Sequence, residues 1–387
     1  MRLLHITPYY APAYAFGGVV SAVTGMTQAL AARGHRVTIL TTDALNRHER
    51  FLGSHDEMVS GVRVVRVPNL SVWLRGQLNL STPWRMGQTA KSLLADIDVI
   101  HLHEFRTVEN ALIIPLAAQT KIPIVLSPHG TLIYATGRST LKQMWDKVVS
   151  PRIAPNIQHV LGLTSQEVQD AQTLWQHFGN LNTAFSVIPN GVNAAEFAQL
   201  PTATMFRQQY AIPDENHIML FMGRLHARKG VEVLVRAFLA AHLPQTTLVL
   251  AGPDEGMLPI ITPLLNDKII VTGYLKQQQR LEALAATTLF VLPAVGEGLP
   301  MAALEAMAAG IPVLLSPGCN LPEVVPAGAG VMVEPESEPL ADALKTLFAD
   351  KTQLKSMGQN AKNLMMQRFT WDKVAAQLEA VYQECSD

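Results

Sequence analysis

Cysteine is nearly absent: Cys319 and Cys385 alone cannot build a disulfide framework or a thiolate metal cluster, which suits a reducing compartment. Charge is sparse and balanced. Thirty lysines and arginines against 31 aspartates and glutamates leave a formal net charge of -1, so no global field selects nucleic acid or an acidic partner. Any anion has to be bound locally. Long apolar runs are missing as well. None approaches the ~20 residues of a bilayer span, and ALIIPLAA at 111–118, among the longest, is interrupted by Pro115. The opening RLLHIT reads as a strand rather than a cleavable leader. The expectation is a cytoplasmic chain with no nucleic-acid partner, for which peripheral contact with the inner face of the cytoplasmic membrane stays open.

What is present is enough apolar material for two cores. The chain has 387 residues, 48% of them hydrophobic, and domains commonly take ~100–200 residues. Short strand-like runs alternate with longer segments of helical period, the pattern of α/β domains whose parallel sheets carry helices on both faces. RLLHIT is followed by the loop PYYAPAYAFGG, and Val20, Val23, Thr27, Leu30 and Ala31 then share one helical face. Gly34 stands where a helix ends, before RVTILTT; DVIHLHE and IPIVLSPHG read as further strands. A second series starts after the turn PNG at 189–191. It runs HIMLFMGR, a helix with Val231, Leu234, Val235, Phe238 and Leu239, then TTLVLAG, KIIVTGY, LFVLPA and GVMVEP. In open parallel sheets ligands sit at the carboxyl ends of strands, so two such domains facing each other would define a cleft that holds the site.

Two loops carry the chemistry. In VGEGLPMAALEAMAAGIPVLL, residues 295–315, Val295 to Gly298 form a loop after a buried strand. Pro300 suits a first helical position, and Gly310 and Pro312 mark the end. Glu297 then precedes a helix start and Glu305 lies on its second turn. Bare carboxylates repel an anion, so hydroxyl groups such as those of a sugar are their natural partners. A helix-dipole role for Glu297 and a solvated Glu305 are the plainer account. In GRLHARKG, residues 223–230, Gly223 ends a strand while Arg224 and Lys229 bring two cations to one loop. Such a clamp suits a diphosphate, which gains charge as its bond to carbon breaks. A solvated basic turn is the alternative.

Taken together, these segments resemble the retaining glycosyltransferases of family four, of the bacterial polysaccharide type. The resemblance spans essentially the whole chain. EGLPMAALEAMAAGIPV is similar to that family's motif of two glutamates with seven residues between them; GRLHARKG resembles its donor-diphosphate loop, FGGV at 16–19 its glycine-rich loop, and SPHG its histidine-glycine turn. TSQE and IPNGV are similar to the approach to the domain junction, and FTWDKVAAQLEAVY to the terminal helix that returns to the first domain.

The resemblance implies the GT-B architecture, two Rossmann-like doubly wound α/β domains facing across a cleft. Residues 1–188, completed by the helix 370–387, would be the acceptor-side domain, and 189–369 the nucleotide-sugar-binding domain. It implies that Glu305 holds ribose hydroxyls, Glu297 contacts the transferred sugar, and Arg224 and Lys229 neutralise the diphosphate. Gly17 and Gly18 would approach donor phosphates or acceptor, and His129 would face the donor sugar. Base recognition is expected near Gly273 and Tyr274. Relatives commonly have Glu-Gly-Phe-Gly where this chain has Glu-Gly-Leu-Pro, and Pro300 has no N–H to offer. Donor contacts there fall to Gly298, Leu299 or Met301.

The implied reaction is transfer of a hexosyl unit, with retention, from a nucleotide diphosphate sugar to a saccharide or lipid-linked saccharide acceptor in surface polysaccharide or glycolipid synthesis. No cofactor beyond that co-substrate and no metal is expected. A nucleotide-sugar epimerase of the same architecture and a non-catalytic nucleotide-sugar-binding protein are the competing functions; a dinucleotide oxidoreductase is disfavoured because G-x-G-x-x-G is missing.

His101 and His103 share a strand face, but no third ligand is suggested, so a metal is set aside and His103 is assigned to the acceptor side. For His129 a satisfied buried imidazole is the alternative. Residues 137–152 place Leu141, Met144, Trp145, Val148 and Val149 on one face, with Arg138, Lys142, Lys147 and Arg152 around it. That basic amphipathic pattern would suit peripheral membrane contact, although an ordinary helix packed on the core accounts for it better.

Overall fold

The computed structural model describes residues 1–78, 80–132, 139–179 and 182–386, so Gly137 and Arg138 of the amphipathic segment lie outside the described residues. The chain divides into two compact units, Met1–Gly191 with Trp371–Asp387, and Val192–Thr370.

The first unit is built on eight strands: β1 (Arg2–Ile6), β2 (Arg36–Thr42), β3 (Asp56–Val59), β4 (Val62–Val67), β5 (Val99–His103), β6 (Ile124–Ser127), β7 (His159–Gly162) and β8 (Ala184–Val187). They lie in the order β3-β4-β2-β1-β5-β6-β7-β8. Only β3, which pairs with β4, runs antiparallel. The order reverses between β1 and β5, where Ile6 pairs with Leu102 and His5 with His101. The helix Gly18–Ala32 follows β1 and buries Val20, Val23, Thr27 and Leu30; Gly34, at φ 91°, turns the chain into β2. The helix Trp371–Ser386 packs in this same unit against Gly18–Ala32.

The second unit has six parallel strands: β9 (His217–Met222), β10 (Thr246–Ala251), β11 (Ile269–Gly273), β12 (Leu289–Leu292), β13 (Val313–Leu315) and β14 (Gly330–Met332). Their order is β11-β10-β9-β12-β13-β14. That is the doubly wound order, with its switch point between β9 and β12. Sequence and packing agree here. Ile218, Met219, Leu220 and Phe221 are all fully buried, as a strand covered on both faces requires, and such strands read as unbroken apolar runs. The helix Val231–Ala241 buries Val231, Leu234, Val235 and Phe238 and packs beside the helix Ser337–Ala349.

Pro300 does not occupy the first helical turn. Its ψ of 115° is extended, so it caps the helix Met301–Ala308, and its carbonyl accepts the N–H of Ala303 at 3.1 Å. The amphipathic segment also differs from its expected packing. The helix Ser139–Val148 turns Asp146 inward, onto the Arg106 guanidinium at 2.7 Å, and leaves Leu141, Met144 and Val148 exposed. The ion pair takes the inner face, so the apolar stripe is not core; Trp145 and Val149 are half-buried.

Candidate functional site

At the switch point of the second unit, two loops are pressed together by glycine. A side chain on Gly230, at φ 69°, would sit 2.1 Å from the Pro293 carbonyl, and one on Gly252 would sit 1.8 Å from the carbonyl of Gly223. This contact lets Val295 donate its N–H to the Arg228 carbonyl at 2.7 Å and the Arg228 guanidinium reach the Gly296 carbonyl. The loop after β9 is thereby docked on the loop after β12. Their side chains meet across that seam: Lys229 Nζ is 2.7 Å from the Glu297 carboxylate. Arg224 pairs with Glu255 at 2.6 Å, with its own side chain 43% exposed. Each of the two cations is thus held by a carboxylate and aimed from the ends of the central strands.

Glu297 is fixed from behind by donating its N–H to Gly318 at 2.8 Å. Beyond it, Met301 and Ala302 precede the first helical hydrogen bond, so their N–H groups form the free start of the helix. Glu305 lies four residues into that helix and is buried, paired through Oε1 with Arg280. Among the described residues its Oε2 has no partner. Arg280 bonds Glu196 as well, at 2.6 Å. Burial pushes the Glu305 carboxyl up, against the pull of Arg280. Burial works to lower Arg280, but the two carboxylates outweigh it and raise its pKa. Gly273, at φ 70°, ends β11, and Tyr274 beside it is exposed. The plainer account of Glu305 as a solvated side chain does not hold.

In the first unit, Gly17 caps the helix Gly18–Ala32 at φ 105°, with nothing within 4 Å of a would-be side chain. His129 follows β6 with a positive φ of 57° and is buried. Glu167 fixes the turn: its carboxylate accepts the N–H of Gly130 at 2.5 Å and of Leu163 at 2.8 Å. His129 Nε2 lies 2.9 Å from His103 Nδ1, and His103 Nε2 lies 3.0 Å from His5 Nδ1. His103 is therefore fully buried with both ring nitrogens engaged, which leaves none for an acceptor. His101 bonds Tyr382 Oη at 2.6 Å and Ser127 Oγ at 2.8 Å.

Burial lowers His5 to about 3 and His129 to about 4. His101 and His103 fall well below the usual histidine range, through burial first and neighbouring imidazoles second. All four rings are neutral at pH 7. Glu104, directly after His103, is pushed up to about 7 by burial and by nearby Glu109. The reason given against a metal is incomplete, because His5 supplies a third imidazole: ligand-capable atoms of His5, His101 and His103 lie within 4.8 Å of one another. Of these ring nitrogens, His5 Nδ1 and both nitrogens of His101 and His103 are already taken up by hydrogen bonds, and His5 Nε2 alone has no partner among the described residues.

Sequence reasoning missed Glu255, Arg280, Glu196, Glu167 and His5. Glu167 carried a signal, since T-S-Q-E at 164–167 has capping-box spacing and Thr164 does accept the Glu167 N–H at 3.2 Å. The others reach the site from distant parts of the sequence, with no local pattern.

Both halves of the chain are matched by family models: residues 203–364 by Glycosyl transferases group 1, and residues 17–191 by Glycosyl transferase 4-like domain. The chain belongs to the group 1 glycosyltransferases. Its first half is of the 4-like kind, which gives it the family-four pairing of domains within the GT-B fold. An uncharacterized glycosyltransferase of Methanocaldococcus jannaschii is 26% identical over 99% of this chain and 98% of its own. The fold is similar to that of sucrose-phosphate synthase from Thermosynechococcus elongatus, with TM-score 0.79 and 22% identity over 99% of this chain and 98% of that one. It is also similar to that of Anabaena HepE, solved in complex with UDP-glucose, with TM-score 0.76 and 21% identity over 99% and 100% of the two chains. No helix among the described residues is long and apolar enough to cross a membrane.

Proposed function

We propose that this glycosyltransferase moves a hexosyl unit from a nucleotide diphosphate sugar to an acceptor hydroxyl, with retention at the anomeric carbon. The observation that carries this reading is the seam at the β9/β12 switch point. There Lys229 stands against Glu297 at 2.7 Å, with Arg224 on the same loop and the start of the helix Met301–Ala308 beyond. Arg224 and Lys229 would take the diphosphate, whose charge grows as the bond to the sugar breaks, so cations already in place stabilise the transition state more than the ground state. Glu297, released from Lys229 by that charge, would accept from the sugar hydroxyls. Glu305, with its free Oε2, would accept from the ribose.

Among the described residues of this seam the Glu297 carboxylate is held by Lys229 in the free protein and would turn to the sugar hydroxyls when the donor binds, so no covalent nucleophile is assigned. The departing diphosphate oxygen would take the proton of the incoming hydroxyl on the same face of the sugar. UDP-glucose in the related HepE structure supports a nucleotide-sugar donor. The test is a panel of nucleotide sugars with NMR of the product anomer: transfer with retention is expected, and an inverted product would reject the mechanism. Substituting Arg224 or Lys229 by Ala should lower kcat about 10²-fold or more. The exposed stripe Leu141, Met144 and Val148, with Lys147 and Arg152 beside it, supports a lipid-linked acceptor met at a membrane surface. Flotation with anionic liposomes tests that part, and no binding at low salt would reject it.

A further inference from the structure

His5, His103 and His129 form a chain of imidazoles with no other polar group between them. His5 Nδ1 faces His103 Nε2 at 3.0 Å, and His103 Nδ1 faces His129 Nε2 at 2.9 Å. The two ends, His5 Nε2 and His129 Nδ1, are buried and without a partner among the described residues. His101 packs beside the chain but is tied to Tyr382 and Ser127 and takes no part in it.

A neutral imidazole has one N–H and one lone pair, and each of the two bonds needs one of each. With three neutral rings only two arrangements make both bonds. In the first, every ring carries its proton on Nδ1: His5 donates to His103, His103 donates to His129, and His129 keeps a free Nδ1–H. In the second, every proton is on Nε2 and the direction reverses, so His129 offers a lone pair at Nδ1 and His5 keeps a buried Nε2–H with nothing to accept it.

The two differ once a hydroxyl, that of water or of a ligand, meets His129, the end with some exposure (8%, against 0% for His5), because a hydroxyl can donate or accept. The first arrangement then leaves a bare acceptor at His5; the second leaves a bare buried donor. Orphaned buried N–H groups are the rarer and costlier of the two. We infer that His103, itself set by His5, is a positioning residue that holds His129 in the Nδ1–H tautomer, so that His129 presents a hydrogen-bond donor to an oxygen of its ligand. The identity of that ligand as the transferred sugar rests on the proposed function; the tautomer does not.

The test is nitrogen-15 NMR of histidine-labelled protein at pH 7.5, where the coupling pattern of each ring reports which nitrogen carries the proton. His5, His103 and His129 should all be Nδ1–H in the free protein. In His103→Leu, His129 should become a mixture of both tautomers. In His103→Asn, the side-chain amide sits where Nδ1 stood and can donate to His129, so the single tautomer should return. The inference is overturned by an Nε2–H on His129 in the unsubstituted protein, by an unchanged His129 in folded His103→Leu, or by one equivalent of zinc in the purified protein, since a metal would occupy the facing nitrogens. If His103→Leu does not fold, the unsubstituted spectrum still decides. Turnover separates this from the wider reading: the expected tautomers in a protein inactive toward every nucleotide sugar would leave the relay standing and remove the proposed reaction.

Discussion

Lys229 Nζ lies 2.7 Å from a carboxylate oxygen of Glu297, and the two side chains are only 15% and 17% exposed. In the free protein the cation proposed to take the diphosphate is therefore already neutralised. On that proposal a nucleoside diphosphate has to displace Glu297, and a sugar that then takes Glu297 as its acceptor offsets the displacement. Glu297→Gln should accordingly separate binding from turnover. Affinity for the nucleoside diphosphate should rise about three- to tenfold, or ~0.7–1.4 kcal/mol, while kcat for sugar transfer falls about 10²-fold or more. Calorimetric titration and steady-state kinetics on one preparation check both, and a parallel fall in diphosphate affinity would show that Glu297 is not the competitor.

Arg280 holds Glu196 and Glu305 together in a largely buried cluster. Arg280→Met would strand the Glu305 carboxylate, whose pKa burial has already raised from the usual 4.5. A carboxyl raised in the folded chain binds its proton there before the unfolded chain does, so the variant should lose stability as pH rises above about 4.5 and level off past the folded value. The expected deficit is ~2–4 kcal/mol at pH 8, shrinking toward pH 4, by urea unfolding of both proteins across that range. A deficit independent of pH would mean the loss is one of packing rather than of charge.

The parts legible in sequence were those whose cause is local. HIMLFM reads as a doubly covered strand because its burial is continuous, and Gly34 marks a helix end because the turn there needs a positive φ. Glu297 and Glu305 stood out because an apolar stretch gives a carboxylate no reason to be present. Pairing was not legible. Glu255 comes from the loop after β10, and Glu196 lies far from Arg280 in sequence, so nothing near Arg224 or Glu305 announces them. His103 was misassigned for the same reason: a strand end suggested access, whereas His5 across the sheet and His129 beyond it close both of its nitrogens. The stripe Leu141, Met144 and Val148 has a core-like spacing, and only the inward Asp146–Arg106 pair shows why it faces out.

Gly25 fixes how closely the helix Trp371–Ser386 returns to the first unit. A β-carbon there would lie 2.1 Å from Trp371 Nε1 and 2.4 Å from Cε2, inside any tolerated contact. The indole is mostly buried, so it has little room to yield. Gly25→Ala gains helix propensity of about 1 kcal/mol, yet overpacking at a rigid ring typically costs ~1–3 kcal/mol. The net expectation is a lowered Tm by differential scanning calorimetry. The pair Gly25→Ala with Trp371→Leu should recover part of the loss, and an equal or larger loss in the pair would show that the clash is not the cause.

The same helix is also held by charge. Arg33 binds both oxygens of Glu379, each at 2.7 Å, and reaches Asp372 at 2.9 Å, while His35 Nε2 stands 2.8 Å from Glu379. The Arg33 guanidinium, ahead of the smaller opposing effect of burial and the help of His35, brings the Glu379 carboxyl down from 4.5 to about 2. A carboxyl depressed in the folded chain stabilises it above the unfolded value and loses that contribution as pH falls through the folded one. The contribution should therefore be whole above about 4.5 and gone near 2. Because the Glu379 side chain is 25% exposed, solvent screens the contact, and about 1 kcal/mol at low salt is the expected size. Glu379→Gln should be less stable than the unsubstituted protein by that amount at pH 6 and should converge with it in acid, as read from urea midpoints between pH 6 and pH 2. Convergence would show that the bidentate contact, and not the helix packing beneath it, supplies the acid sensitivity of this part of the chain; parallel midpoints throughout would assign it to another carboxyl.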